Sequence, residues 1–204
     1  MSDLRTRFAG SNDIDSIASL HKGAFPGFFL SLMGERFLGE YYRLVLEGDD
    51  GIVLVGEDEG GLVGFVAGSV DPAGFYRRMS ANKFRLILPI VAAAIRRPVL
   101  LGRIVFNIRK IRREGRSGNL YEQSTAELTS IAVDPRCGGR GVGGGLLTAF
   151  LEYTRELESK KVRLTTDTDD NDPVNAFYVA NGFLLCDTKV TSRGRRMNVY
   201  EIDL

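Results

Sequence analysis

Apolar positions recur along the chain in two periods, and the switches between them mark out its elements. Residues 4–8 alternate weakly and read as a short strand. After Gly10, Ser11 or Asn12 is placed to cap a helix carrying Ile14, Ile17, Ala18 and His21 on one side. Past Pro26-Gly27 a helical period runs from Phe29 to Leu46 and stops at Gly48. Two strands, 52–56 and 62–68, flank an acidic, glycine-bearing stretch that suits a hairpin turn. From 71 to 119 the apolar residues cluster at 84–95 and 99–108, interrupted by Pro89 and Pro98, a pattern of short helices forming an insert. Alternation returns over 126–133 and puts Glu127, Thr129, Ile131 and Val133 on one face of a strand unless a bulge intervenes. A glycine-rich turn follows, then a helix through Leu146, Leu147, Phe150, Leu151 and Leu157. A strand at 162–166, a short helix over 174–180 and two more strands complete the chain. The expectation is one mixed α/β domain spanning 1–204, without internal repeats.

Composition narrows the class. With 204 residues, 44% of them hydrophobic and 26% charged, the chain has ordinary globular character, which excludes disordered, collagenous and coiled-coil classes. Two cysteines and one histidine supply neither a disulfide framework nor a Cys/His zinc site, so no metal is expected. The first residues lack the charged-then-apolar order of a signal peptide, and the apolar run from Leu86 to Ile95 is about half a bilayer span; both point to a cytoplasmic protein. The net charge of +1 gives no reason to expect nucleic acid as a partner. Charge is nevertheless segregated. Residues 71–119 hold twelve Lys or Arg against Asp71 and Glu114, so this segment is +10 and the remainder −9.

Six glycines, at 138, 139, 141, 143, 144 and 145, lie between a strand and a helix. They place unhindered backbone N–H groups at a helix N-terminus, where the dipole favours an anion such as phosphate. Gly139-Arg-Gly141-Val-Gly-Gly144 satisfies the dinucleotide pattern, and Asp167 stands where a ribose-binding acid is expected. Against an oxidoreductase, Asp134 to Cys137 separate the turn from its strand, and too little chain follows for further βαβ units. A nucleoside-triphosphate P-loop lacks its Gly-Lys-Ser/Thr.

The run from Ala126 through Val133 to Pro135, the Gly139-Arg-Gly141-Val-Gly143 turn, and Asn171 through Phe177-Tyr178 to Asn181-Gly182-Phe183 together resemble the GCN5-related N-acetyltransferases. The resemblance covers roughly 120–185, extends to 4–70 in element order, and is absent over the basic insert. It implies a central, mostly antiparallel sheet flanked by helices, and acetyl-CoA or a close acyl-CoA as the acyl-donor cosubstrate. On the matching positions, the main chain of Ile131, Ala132 and Val133 would bind the acyl carbonyl and pantetheine arm. Gly138, Gly139, Arg140, Gly141, Val142, Gly143 and Gly144 would cradle the pyrophosphate, and Asn171 would contact the coenzyme. The family's turn opens with Gln or Arg, whereas this chain has Gly138 there.

The same resemblance gives Glu127 the position of a strand-borne general base and Tyr178 that of the acid that protonates the departing thiolate. It puts the acceptor pocket at 21–29 and beyond, with Phe28, Phe29 and Arg36 as substrate residues. Residues 24–29 and 194–200 look like bacterial members associated with surface-glycan synthesis, which would imply an amino-sugar acceptor among small primary amines. A homodimer stays open, as does a peripheral contact of the basic insert with an anionic membrane. The rival reading from another class is a non-catalytic coenzyme-binding module that docks a membrane or an acidic partner through that insert.

Overall fold

The alternating segments pair into one seven-stranded sheet in the order β1-β2-β3-β4-β5-β7-β6. The computed structural model describes residues 4–96, 124–191 and 194–204. In chain order the elements are β1 (Arg5–Phe8), α1 (Ile14–Ala24), α2 (Phe29–Leu32), α3 (Glu35–Leu46), β2 (Gly51–Asp58), β3 (Gly61–Ser69), α4 (Pro72–Ala81) and α5 (Lys83–Arg96). They continue with β4 (Thr125–Val133), α6 (Val142–Glu156), β5 (Lys161–Asp167), α7 (Asp172–Ala180), β6 (Leu184–Val190) and β7 (Arg196–Asp203). Every pairing is antiparallel except that of β4 with β5.

Two apolar layers hold the sheet. On one face α1, α3, α4 and α5 close over β2 and β3 through Ile17, Phe37, Leu38, Tyr42, Phe65 and Phe75. On the other, α6 and α7 bury Leu146, Leu147, Phe150 and Tyr178 against Leu128, Val162 and Leu164. Burying a Leu or Phe side chain stabilises by roughly 1.5–3 kcal/mol, so this double layer sets the sheet's rigidity.

Two helical expectations change. The stretch from Phe29 to Leu46 is not continuous: Gly34, at φ +87°, breaks it and caps α3, a backbone conformation that side chains disfavour. Conversely Pro89 does not end its helix, because α5 runs through it to Arg96. Proline removes one helical N–H there. The loss is offset by Leu86 and Ile90, which pack into the core, and by Arg85, which ion-pairs with Glu40 and Glu47. Pro98, the apolar cluster 99–108 and the cations from Arg97 to Arg116 lie outside the described residues.

Candidate active site

β4 carries the central feature. Its register against β3 shifts between Ala67 and Gly68: Ala67 pairs with Ser130 and Gly68 with Leu128, leaving Thr129 as an extra residue. The Thr129 hydroxyl donates to the Ala67 carbonyl at 3.0 Å. A bulge shifts the alternation by one residue. Before it, Ala126 and Leu128 pack in the α6 layer, while Glu127 and Thr129 turn towards Tyr76 and Tyr41. After it, Ala132 belongs to the α1/α3 layer, and Ile131 and Val133 pack on the α6 side. The single face expected from strict alternation is therefore divided: Glu127 and Thr129 lie on one side, Ile131 and Val133 on the other.

The carboxylate of Glu127 lies 3.5 Å from the Tyr76 hydroxyl. Burial, opposed by a hydrogen bond with Thr129 and reinforced by the charge of Glu127, pushes the Tyr41 phenol up to about 12. Neither tyrosine stands out in the sequence, since Tyr41 falls in the apolar phase of α3 and Tyr76 follows the core residue Phe75.

β4 and β5 pair only from Thr125 with Lys161 to Leu128 with Leu164, although β4 continues to Val133 and β5 to Asp167. The strands thus splay at the bulge. Beyond Leu128 the β4 main chain bonds β3 along one edge and faces a wedge with the other.

At the mouth of the wedge, Asp134 leads into a 3-10 turn over Pro135–Cys137 and then into the glycines. Hydrogen bonds from the side chain and backbone N–H of Arg136 hold the Asp134 carboxyl down at about 2. Arg140 donates to Asp58 at 3.1 Å and to Cys137 Sγ at 3.5 Å. Both arginines of the turn are thus engaged by carboxylates, and the main chain is left as the principal anion donor. Gly141, at φ +79°, caps α6, whose first backbone bond runs from Gly145 N–H to the Gly141 carbonyl. The N–H groups of Val142, Gly143 and Gly144 precede that bond at the positive end of a 15-residue helix. Beside Gly139, Gly141 and Gly144 a Cβ would meet nothing within 4 Å, so space for a ligand adjoins those amides.

Three of the expected coenzyme elements converge here. A Cβ on Gly143 would lie 3.6 Å from Val133 and 3.7 Å from Phe177, so the end of β4, the first turn of α6 and the middle of α7 meet at one point. Next to Phe177, the Tyr178 ring is buried among Phe177, Phe183 and Tyr200. Desolvation there raises its pKa well above the ordinary phenol value, so the hydroxyl stays protonated across the working range. Asn171 stands at the N-cap of α7 without a side-chain cap bond; its amide donates instead to Thr166 Oγ1 at 2.8 Å and the Asp167 carbonyl at 3.1 Å. Asn175 locks the helix down: its amide donates to the Asp167 and Asn171 carbonyls, and its oxygen accepts from Asn198 and Tyr200, all at 3.0 Å.

The expected acceptor residues are dispersed. Phe28 is 43% exposed, and the Arg195 guanidinium lies 5.1 Å from its ring centroid while ion-pairing with Asp167 at the end of β5. This clasp joins the α1–α2 loop to the β6–β7 turn. The side chain of Phe29 lies outside the described residues. Arg36 lines a cleft of about 320 Å³ between α1 and α3 with Asp15, Glu35, Glu40 and Arg43, and no β4 residue lines that cleft. His21 is buried and bonds Tyr42 through Nδ1 at 2.6 Å.

A family model described as the acetyltransferase (GNAT) family matches residues 14–183. The chain belongs to the GNAT acetyltransferase family. Solved structures share the fold of this GNAT protein at low identity. Ard1 from Thermoplasma volcanium is 20% identical, with 98% of this chain and 97% of that chain covered and a TM-score of 0.62. A GNAT-family acetyltransferase described as putative, from Desulfovibrio desulfuricans, is 14% identical, with 100% and 99% covered and a TM-score of 0.64. The PaiA N-acetyltransferase from Thermoplasma acidophilum, solved in complex with coenzyme A, is 13% identical, with 99% of each chain covered and a TM-score of 0.59. Comparison with curated protein sequences finds no match. As a GNAT acetyltransferase the protein uses acetyl-CoA. The residues present suit that cosubstrate: open space at Gly139, Gly141 and Gly144 adjoins a helix N-terminus, and the β4 edge faces the wedge leading from it. Among the described residues no group of His, Cys, Asp and Glu is arranged to hold a metal, and no helix is long and apolar enough to cross a membrane.

Proposed function

We propose that the protein transfers an acyl group from acetyl-CoA, or a close acyl-CoA, to a primary amine of a small molecule by direct transfer in a ternary complex. The observation that carries this reading is the convergence of Val133, Gly143 and Phe177 at the mouth of the β4/β5 wedge, with Glu127 on the opposite face of the same strand. The amides of Val142, Gly143 and Gly144 hold the pyrophosphate, supported by Gly138, Gly139, Arg140 and Gly141. The β4 main chain from Ile131 to Val133 receives the pantetheine arm and polarises the acyl carbonyl. Bound acetyl-CoA supplies an activated thioester carbonyl. Asn171 sits at the start of α7, fixed to β5 by its amide bonds, where it borders the coenzyme.

Glu127 removes the proton that the acceptor ammonium must lose before its nitrogen can attack. Tyr178, held neutral by burial, donates its phenolic proton to the departing thiolate and recovers one from solvent. The exposed Phe28 ring offers a face on which a sugar can stack, which supports an amino-sugar acceptor.

The test pairs thermal melting with a thiol-release assay. Acetyl-CoA is expected to raise the melting temperature while NADH leaves it unchanged, and an amino sugar is expected to accelerate thiol release. Stabilisation by NADH alone refutes the donor assignment; thiol release with no amine of a broad panel refutes the transfer reaction.

A further inference from the structure

Ser69 is the last residue of β3, and its register partner on β4 is Glu127. The chain therefore turns into α4 directly beside the Glu127 position. That turn is tied down on several sides. The Asp71 carboxylate accepts from the Gly74 N–H at 2.9 Å and caps α4. The Ser69 hydroxyl accepts from the Asp71 N–H at 3.2 Å and donates to Asp50 at 2.8 Å, and Arg78, two turns into the helix, ion-pairs with the same Asp50. Gly74 belongs to this knot, because a Cβ there would fall 2.2 Å from an Asp71 carboxylate oxygen. Phe75 is buried, its ring edge-on to Tyr41 with centroids 6.1 Å apart. So anchored, α4 leaves the next side chain, Tyr76, half-buried with its hydroxyl 3.5 Å from Glu127 Oε1.

A phenol so placed donates to the carboxylate. Such a bond favours the ionised form and restricts the rotation of the acid, leaving its remaining lone pairs in a set direction. The separation is long for a hydrogen bond, as contacts among reacting groups often are before substrate closes the site. Two other groups bear on the same carboxylate. Tyr41 of α3 bonds Thr129 and stays neutral, while Arg163, the register partner of Glu127 on β5, ion-pairs with Glu201 and keeps its charge at every working pH. Both are the same in the wild type and in a variant altered only at Tyr76, so a comparison of the two isolates the phenol.

We infer that Tyr76 is a positioning residue of the acyl transfer, its hydroxyl orienting the Glu127 carboxylate and keeping it ionised, ready to take the acceptor's proton. The inference rests on the reading of Glu127 as the general base. It gives the helix that opens the basic insert, where the sequence resemblance to the family is absent, a part in the reaction.

The experiment compares the full-length wild type with Tyr76→Phe, which keeps the ring and removes only the hydroxyl. Carboxyl titration is followed by carbon-13 NMR of glutamate-labelled protein, the Glu127 signal being the one absent from Glu127→Gln. Its midpoint is expected to rise by about 0.5–1 unit in Tyr76→Phe, because the ionised form loses a donor. In parallel, kcat/KM for the acceptor is measured against pH; the wild-type to variant ratio cancels the acceptor's own titration. That ratio is expected to widen by about three- to tenfold as the solution is acidified through the midpoint and to level off above it, with stabilisation by acetyl-CoA retained. An unmoved midpoint in the folded variant overturns the proposal, as does a ratio constant with pH, which is what lost packing alone would give. A moved midpoint with full activity of Glu127→Gln overturns it through the base reading instead, so the two failures are told apart.

Discussion

Replacing His21 by Gln gives a direct measure of how dry the α1/α3 layer is. His21 is the only histidine of the chain, and burial lowers its pKa from 6.5 to about 4. Burial also raises the Tyr42 phenol well above its ordinary value, so a neutral phenol and a neutral imidazole share the 2.6 Å bond at Nδ1. In the unfolded chain the imidazole takes up a proton below about 6.5, while in the folded one it stays neutral until about 4. The unfolded state therefore binds more protons across that window, and stability falls as the pH falls. At 1.36 kcal/mol per unit the full loss is about 3 kcal/mol below the lower value. Of this, about 2 kcal/mol is lost between pH 7 and pH 5. Gln can still bond Tyr42 but does not titrate. Urea unfolding of both proteins across that range should give stabilities that converge as the solution is acidified, the wild type losing about 2 kcal/mol more than the variant. Parallel curves would show that the folded imidazole titrates normally, and the argument for a dry, neutral His21 would fail.

Three further outcomes test the site. Gly144→Ala introduces a methyl group into open space on the first turn of α6, so the free protein should gain about 0.5–1 kcal/mol while its stabilisation by acetyl-CoA shrinks; an unchanged ligand shift would place the pyrophosphate elsewhere. Tyr178→Phe keeps the ring packing and should lower kcat by about 10²–10⁴ without altering coenzyme affinity, whereas a loss below about threefold counts against the acid role. Glu127→Gln should depress kcat most near neutral pH and recover part of it where the acceptor amine is already neutral. A loss uniform with pH in that variant would instead point to acceptor binding.

What was legible in the sequence is what short stretches encode. The hairpin of β2 and β3, the glycine turn and the α7 run are set by neighbours within a few residues, and the structure has each where the pattern puts it. The bulge left only a faint trace: Ala126 and Leu128 keep one apolar phase, Ile131 and Val133 the other, and the adjacent polar pair Thr129-Ser130 marks the change. Across the sheet Gly68 makes room for it, since a Cβ there would come within 2.3 Å of the Glu127 carbonyl and 2.5 Å of the Phe150 ring. Tyr41 and Tyr76 reach Glu127 from two helices, and Phe28 meets Arg195 across most of the chain; no local period marks such encounters. The break at Gly34 carried a signal, a glycine directly before Glu35, but the apolar spacing on both sides outweighed it.

The extra residue in β4 also bears on how such a chain can diverge. On the reading above, the half of the strand before Thr129 addresses the acceptor through side chains, and the half after it grips the donor through backbone. Substitutions at the first half leave the second undisturbed, so new acceptor preferences can arise while the hold on the donor is inherited intact. Changes in length have no such freedom. Removing Thr129 would carry Glu127 round to the side of Phe150 and Leu146, burying a carboxylate among hydrocarbon, and adding a residue would exchange the roles of the donor half. The strand is open to rewriting letter by letter and closed to any change of frame.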